Sequence, residues 1–320
     1  MLNAILWLIA ISVAVTTLLP LTNSVRWWVR MWDFPRIHIV VVAGLTVLVV
    51  PFATIPLKPL LISAMLACIF YHAARIYPYM PFARKEIELV AAVGPHVSIL
   101  AANVLMENTR YGDLIAIIEQ EDPDVLFLME TNAVWHDALK ATLANYRTIR
   151  THLRDDHYGL IFATRLSAIS VGIFYPNGDD TPGVKAVLTN TDGVAFNFIG
   201  LHPRPPVPGN DTKARDEQIK NAAMMTSSSE RPTICMGDFN DVAWSWTTQR
   251  FKRYGAFREP RVGRGMLSSF HTKYWFVRLP IDQLFLTENV GLVAFERLSD
   301  FGSDHFPMTA HVVFDCKGPA

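Results

Sequence analysis

Three apolar runs, at residues 2–21, 37–57 and 59–77, constrain this chain more than any other feature of it. Each has about the 20 residues that a helix needs to cross the hydrocarbon of a bilayer. Read instead as buried core helices, they would present three apolar faces for the remaining residues to cover. The expected organisation is a membrane segment of three transmembrane helices over residues 1–78, a linker over 79–95 and a soluble domain over 96–315. A secretory signal peptide does not fit the first run. Met1, Leu2, Asn3 and Ala4 supply no basic residue, and the stretch after Pro20 is a poor cleavage site. Pro51 and Pro56 kink or end the second helix, and Lys58 with Pro59 leaves only a tight turn before the third, so these two form a hairpin.

Between the first two runs lie Arg26, Trp27, Trp28, Arg30, Trp32 and Arg36, a mixture of cations and indoles suited to the headgroup layer. Arg26, Arg30 and Arg36 fall on the same side of the bilayer as Arg75, Arg84 and Lys85, whereas the opposite side has only Lys58. By the positive-inside rule that side is the cytoplasm, and the soluble domain lies there as part of a multi-pass membrane protein. Five of the 29 Lys and Arg and one of the 29 Asp and Glu precede residue 79, which leaves 24 basic against 28 acidic residues in the remainder. A mildly acidic domain argues against a broad nucleic-acid-binding face, although not against a small local one. Cys68 falls in a span, Cys235 in an apolar strand and Cys316 near the chain end, which is no disulfide framework.

The soluble part is organised around Pro232, Thr233, Ile234, Cys235, Met236, Gly237, Asp238, Phe239, Asn240 and Asp241. The β-branched and apolar run reads as a buried strand that delivers Asp238 and Asn240 at its carboxyl end. Residues two apart on an extended chain share a side. A carboxylate and a carboxamide projecting together can hold and deprotonate a water, or give oxygen ligands to a hard cation. Taken alone, the same residues make an ordinary Asx turn. Other polar groups in the same relation to strands change that balance.

The first expected strand, from His96, ends at Asn103, and a helix over residues 111–121 leads to a strand over 124–130 that ends in Glu130. Two strands joined through one helix bring both polar ends to one edge. A helix over 134–145 follows, and then His157 and Tyr158 precede a further strand. Strands are expected over 168–175 and 184–188, with Asn177-Gly178 and Asp192-Gly193 as hairpin turns. The run 194–201 ends in His202, Pro203 and Arg204, an imidazole and a guanidinium on a proline-stiffened loop suited to phosphate oxygens. Residues 211–227 and 242–254 have helical character, the latter with Trp244 and Trp246 better suited to packing on a sheet than to stacking on a substrate. Residues 258–265, with Arg261 and Arg264, read as a flexible loop for a phosphate-rich or headgroup contact. Asp282 opens a strand, and Asp304 and His305 precede the final strand, 308–314. The carboxylate placed to hold His305 is Asp282 rather than its sequence neighbour Asp304, which is then free to approach a metal.

The order Asn103, Glu130, His202, Gly237-Asp238-Phe239-Asn240, Ile281-Asp282 and Ser303-Asp304-His305 closely resembles the endonuclease/exonuclease/phosphatase superfamily. The resemblance spans residues 97–314, and the chain looks like membrane-attached bacterial members with an amino-terminal helical segment. It implies an α/β fold: a four-layered, DNase-I-like sandwich of two β-sheets flanked by helices, here preceded by the transmembrane segment. It also implies roles. Glu130 would be the principal Mg²⁺ ligand, with Asn103 alongside and Asp304 assisting, and Mn²⁺ is a possible substitute. Asp238 and Asn240 would orient and activate water, His202 and His305 would stabilise charge on the phosphate, and Asp282 would support His305. Tyr158 and Arg204 match less general substrate-contacting positions. Some relatives carry an acid where this chain has Leu105, which puts a second metal in doubt.

The function so implied is a membrane-anchored, metal-dependent phosphoric ester hydrolase, most simply a phosphodiesterase or endonuclease-like enzyme. Its partners would be the lipid bilayer and a phosphodiester, nucleic acid or phospholipid, with no protein partner indicated. A lipid phosphodiesterase or phosphatase of the same superfamily is the alternative. A non-catalytic membrane-associated binding module is the third reading.

Overall fold

The computed structural model describes residues 2–91, 96–176, 178, 181–209, 211–227 and 230–314, so Asn177 and Cys316 lie outside the described residues. Side-chain alternation decides the layers. Strand β1 (Val97–Asn103) is buried along its whole length, as is β2 (Val125–Met129), so both faces of each must be covered. Val97, Ile99 and Ala101 of β1, with Val125, Phe127 and Met129 of β2, enter one apolar cluster. The intervening Leu100, Ala102, Leu126 and Leu128 enter another, beneath helical residues that include Leu114, Ile118, Trp135 and Leu143.

The first cluster lies between two mixed sheets. One has the order β10 (Val290–Arg297), β11 (Met308–Phe314), β1, β2, β4 (Leu160–Thr164) and β3 (Thr148–His152). The other has the order β5 (Ser167–Phe174), β6 (Gly183–Thr189), β7 (Ala195–Leu201), β8 (Thr233–Asp238) and β9 (Asp282–Leu286). The β1–β2 and β7–β8 pairs are parallel and the rest antiparallel. Helices α5 (Tyr111–Glu121), α6 (Ala133–Ala138) and α7 (Lys140–Leu143) cover the outer face of the first sheet. Helices α8 (Lys213–Ser227) and α9 (Trp246–Tyr254) cover the second. The result is the expected four-layered sandwich.

The amino-terminal residues form α1 (Leu2–Leu18), the short α2 (Trp27–Arg30), α3 (Arg36–Val49) and α4 (Lys58–Ile76). Two helical stretches, Leu2–Thr22 and Lys58–Tyr79, are long and apolar enough to cross a membrane. The second expected span is shorter than the sequence suggests, because the helix gives way at Val50-Pro51 and reaches only Phe52 through a 3₁₀ turn. It counts as a third span only if joined to Trp27–Asp33, from which it is bent by 71°. The three helices share a small core of their own, yet Leu8, Leu48, Phe52 and Phe70 stay more than 60% exposed, so the sandwich does not cover them as it would core helices.

The loop before α3 departs from the expectation of a headgroup-facing cationic belt. Arg30 and Arg36 are buried in an alternating ladder of charge. Arg36 pairs with Asp33, Arg30 lies 4.0 Å from Asp33 and 3.0 Å from Asp216, and Arg215 lies 3.2 Å from both Asp216 and Asp241. Trp244 donates its indole N–H to the Asp33 carbonyl at 2.7 Å, and the Tyr79 hydroxyl donates to the Ala243 carbonyl at 2.7 Å. The amino-terminal segment is thus docked on the sandwich by buried polar contacts.

Residues 258–265 also differ from the expected flexible loop. Glu259 and Arg261 are fully buried, 3.4 Å apart, and Arg261 donates to the Gln283 side chain and the Asp282 carbonyl, each at 2.6 Å. A buried carboxylate needs a buried cation, so Arg261 is spent on Glu259 and β9 and is not free for a headgroup. Arg264 is likewise committed to the carbonyls of Pro260 and Ile87. The helix expected over 134–145 divides at Leu139 into α6 and α7, and the one expected from residue 242 begins only at Trp246, where Ser245 caps it by accepting from the Thr248 N–H.

Candidate active site

The alternation that builds the core also aims the site. Continuing the inward positions of β1 and β8 past Ala101 and Met236 brings Asn103 and Asp238 face to face between the sheets. The Asn103 amide donates to Asp238 at 3.1 Å and to Glu130 at 2.7 Å. By the same alternation Glu130 would follow Leu126 and Leu128 outward. Its φ of 61° turns it back towards Asn103. Asn240 is also left-handed, with φ 49°; its backbone N–H donates to Asp238 at 2.8 Å and its amide to the Pro203 carbonyl at 3.0 Å. Left-handed non-glycine residues cost on the order of 1 kcal/mol each, and Leu105 and His157 beside this site share the conformation.

Gly237 explains why β7 and β8 can close so tightly. A Cβ there would lie 2.1 Å from the Leu201 carbonyl oxygen. That approach carries the next residue, His202, to within 3.7 Å of Asp238 and 3.8 Å of Glu130 through Nε2. From the other side, His305 presents Nε2 3.6 Å from Asp238 while its Nδ1 is held by Asp282 at 2.7 Å. Ser303 donates its hydroxyl to the Asn103 carbonyl at 2.8 Å, which ties the turn bearing Asp304 and His305 to the end of β1. Asp304, Glu130, Asn240 and His305 line one cavity of about 520 Å³. Tyr158 packs its ring 5.7 Å from that of His202, and the exposed Arg204 guanidinium sits 5.0 Å over the Tyr158 ring. All ten residues singled out in the sequence are therefore within one neighbourhood.

Burial dominates the electrostatics. It works against an imidazolium at His305, but the Asp282 and Asp238 carboxylates outweigh it and raise its pKa to about 10. Burial raises Asp238 to about 7 although His305 pulls the other way. His202 is lowered by burial, and its Nδ1 has no hydrogen-bond partner among the described residues. At Glu130 burial is overcome by His202, Asn103 and His157, so its carboxyl stays below the usual range. Asp238, Asp282 and His305 offer ligand atoms within 4.8 Å of one another, a grouping that could hold a metal ion. Because the Asp282 to His305 contact already engages one atom of each, this trio also suits a path for protons. The carboxylates Glu130 and Asp304 suit a hard cation, whereas Asn103 turns its amide nitrogen to Glu130 and Asp238 while its oxygen accepts from the Leu105 N–H at 3.0 Å.

Sequence reasoning assigned no role to Glu107, and it left His157 a loop residue that could sit at the rim. His157 lies 2.9 Å from Glu130 through Nδ1 and 3.2 Å from Glu107 through Nε2. Its position just before Tyr158 was the available signal; Glu107 gave none. Phe270, whose ring lies 5.0 Å from that of His305, and Met31, Phe34 and Pro35 of the amino-terminal segment also reach the site.

No curated protein matches the sequence. Solved structures do. A Bacteroides thetaiotaomicron endonuclease/exonuclease/phosphatase family protein aligns with a TM-score of 0.57 and 19% identity, over 69% of this chain and 98% of that one. TDP2 of D. rerio, solved with a single-strand DNA product, aligns at 0.58 and 18%, over 69% and 100%. The mannosyl-6-phosphatase of Bacteroides thetaiotaomicron VPI-5482 aligns at 0.56 and 18%, over 68% and 100%. At such identities these likenesses speak for the fold alone. The model of one family matches residues 100–305, nearly all of the sandwich, and on that match the chain belongs to the endonuclease/exonuclease/phosphatase family.

Proposed function

We propose that the chain is a membrane-anchored, Mg²⁺-dependent phosphoesterase, acting on a phosphodiester through an activated water, with its catalytic domain on the cytoplasmic side. The observation that carries this reading is the convergence of Asn103, Glu130, His202, Asp238, Asn240, Asp282, Asp304 and His305 on one cleft from distant parts of the chain. Glu130, with Asn103 and Asp304, would hold Mg²⁺ or Mn²⁺, which when bound supplies Lewis-acid polarisation of a phosphate oxygen. The surplus of carboxylates over cations fits such an ion.

Asp238 takes a proton from the water that Asn240 helps to place, and its pKa near neutrality suits a general base. His305, held by Asp282, donates from Nε2 to a phosphate oxygen, and His202 approaches the phosphate from the other side. Tyr158 and Arg204 at the rim bind the part of the substrate beyond the phosphate. The anchor rests on the two long apolar helices with α3 as a third crossing between them, which keeps Arg26, Arg30, Arg36, Arg75, Arg84 and Lys85 on one side, read as cytoplasmic, and Lys58 on the other. Because a D. rerio relative is solved with a DNA product, nucleic acid is a second reading of the substrate; the acidic balance of the soluble part weighs against it.

The test is the purified full-length protein on DNA, RNA, phospholipid and phosphomonoester, with Mg²⁺, with Mn²⁺ and with EDTA. Metal-dependent hydrolysis of a diester, abolished by Asp238→Ala, is the expected result. Absence of hydrolysis across the whole panel, or hydrolysis indifferent to EDTA and to Asp238→Ala, overturns the proposal. Protease accessibility in intact cells tests the orientation: digestion of the sandwich from outside would reverse it.

A further inference from the structure

The cavity has two kinds of lining. Glu130, Asn240, Asp304 and His305 are polar, whereas Phe270, Leu279 and Ile281 form an apolar side, with the Phe270 ring 5.0 Å from that of His305. That apolar side is completed by Met31, Phe34 and Pro35, which belong to the amino-terminal segment and lead directly into α3. Of this wall only Phe34 and Phe270 could stack on a nucleobase; Met31, Pro35, Leu279 and Ile281 are aliphatic. Such a lining matches a phosphate ester that carries hydrocarbon.

The wall is built in. Arg30 bonds Asp216 at 3.0 Å and Thr247 at 3.2 Å, the Thr212 N–H donates to the Val25 carbonyl at 2.7 Å, and Phe34 packs in a cluster with Tyr79, Trp244, Leu279 and Ile281. These contacts hold Met31 and Phe34 at a fixed place relative to His305.

A second feature points the same way. The segment between Phe270 and Leu279 leaves the cavity and carries Tyr274, Trp275 and Phe276 at its tip, 51%, 78% and 54% exposed. The Phe276 carbonyl contacts His38 Nε2 at 2.5 Å, in the first turn of α3. An exposed aromatic triplet is therefore level with the start of an apolar helix, the depth at which indole and phenol rings favour the headgroup layer. One strap thus joins the ring packed on His305 to the start of α3.

We propose, resting on the phosphoesterase reading above, that the substrate is a membrane phospholipid drawn from the bilayer that holds the protein. Its phosphate lies at Glu130, His202, Asp238 and His305, its hydrocarbon lies along Met31, Phe34, Phe270, Leu279 and Ile281, and Tyr274, Trp275 and Phe276 dip into the headgroup layer beside it. Hydrolysis forms one bond from water oxygen to phosphorus and breaks one ester bond. The alcohol leaves with a proton derived from that water, and a phosphomonoester remains; no oxidant or reductant enters.

Full-length protein is reconstituted in vesicles of phosphatidylethanolamine, phosphatidylglycerol and phosphatidylcholine with Mg²⁺, products being read by mass spectrometry. Single-stranded DNA and bis(p-nitrophenyl) phosphate are assayed in parallel. The expected result is release of phosphomonoester and alcohol from vesicle lipid. Phe34→Ser lowers the ratio of lipid to bis(p-nitrophenyl) phosphate kcat/KM by about 10- to 100-fold, the scale of losing one aromatic contact with hydrocarbon. Trp275→Ala, which removes an exposed ring and no buried contact, raises the vesicle concentration needed for half-maximal rate by about 3- to 10-fold. Mg²⁺-dependent hydrolysis of the soluble diester or of DNA with intact lipids, or an unchanged ratio in Phe34→Ser, overturns the lipid assignment while leaving the phosphoesterase standing. Inactivity on all three substrates removes both.

Discussion

Two buried clusters of charge lie close together in this molecule and are built on opposite rules. In the docking ladder Arg36, Asp33, Arg30, Asp216, Arg215 and Asp241 alternate in sign, so each carboxylate has a cation beside it. In the cleft, the charged partners of Glu130, Asp238 and Asp282 within 4 Å among the described residues are imidazoles, beside neutral donors such as the Asn103 amide, and the contacts of His202 with Glu130 and Asp238 are 3.7 to 3.8 Å, too long for good hydrogen bonds. The ladder is electrically complete and can only hold parts together. The cleft holds more carboxylates than cations, as befits a grouping that could hold a metal ion.

The contrast can be broken by removing single charges. Asp216→Ala leaves Arg30 and Arg215 short of a buried partner, and should lower unfolding stability by about 3–5 kcal/mol in denaturant titration. Asp238→Asn in the cleft should do the reverse: hydrolysis of bis(p-nitrophenyl) phosphate falls by about 10²–10³-fold or more, while stability holds or rises because a buried, loosely paired acid is neutralised. If Asp238→Asn unfolds the protein and Asp216→Ala does not, the distinction is wrong. Mg²⁺ at about 100 times its dissociation constant should stabilise wild type by about 2.7 kcal/mol in thermal unfolding, and Glu130→Gln should lose most of that shift.

The effect at His305 is spread over several pH units. Its folded pKa of about 10 exceeds the ordinary 6.5, so the folded chain keeps a proton that the unfolded chain releases. That stabilisation is complete below pH 6.5 and disappears as pH rises towards 10, with a slope of at most about 1.4 kcal/mol per pH unit. In EDTA, the stability advantage of wild type over His305→Gln should shrink across pH 7–10. A constant difference would show that Asp282 and His305 are not an ion pair.

Legibility in the sequence followed burial. Helix α5 and strand β11 occupy the expected residues, and β1, β2 and β8 lie within one or two residues of expectation, because each carries an apolar pattern dictated by covered faces. Strand β3 escaped notice, since Thr148, Arg150 and Thr151 give an edge strand no apolar alternation. Within the cleft, residues at strand ends were visible because the chain itself delivers them. Those reaching the site through tertiary docking were not: nothing local in Met31 or Phe34 says that a loop read as headgroup-facing folds back against β9 and its approach. Arg261 misled for the same reason, its partner Glu259 being an ordinary acid until both are buried.

The ladder has one more consequence. A fragment beginning at residue 79 would lose Arg30 and Asp33 from beside Asp216 and Trp244, and would open Ile281 and Leu279 to water on the flank of the catalytic cleft. The amino-terminal segment is thus no detachable leash. Its Met31, Phe34 and Pro35 wall the cleft, and an assay on the portion trimmed of it would report on a different protein.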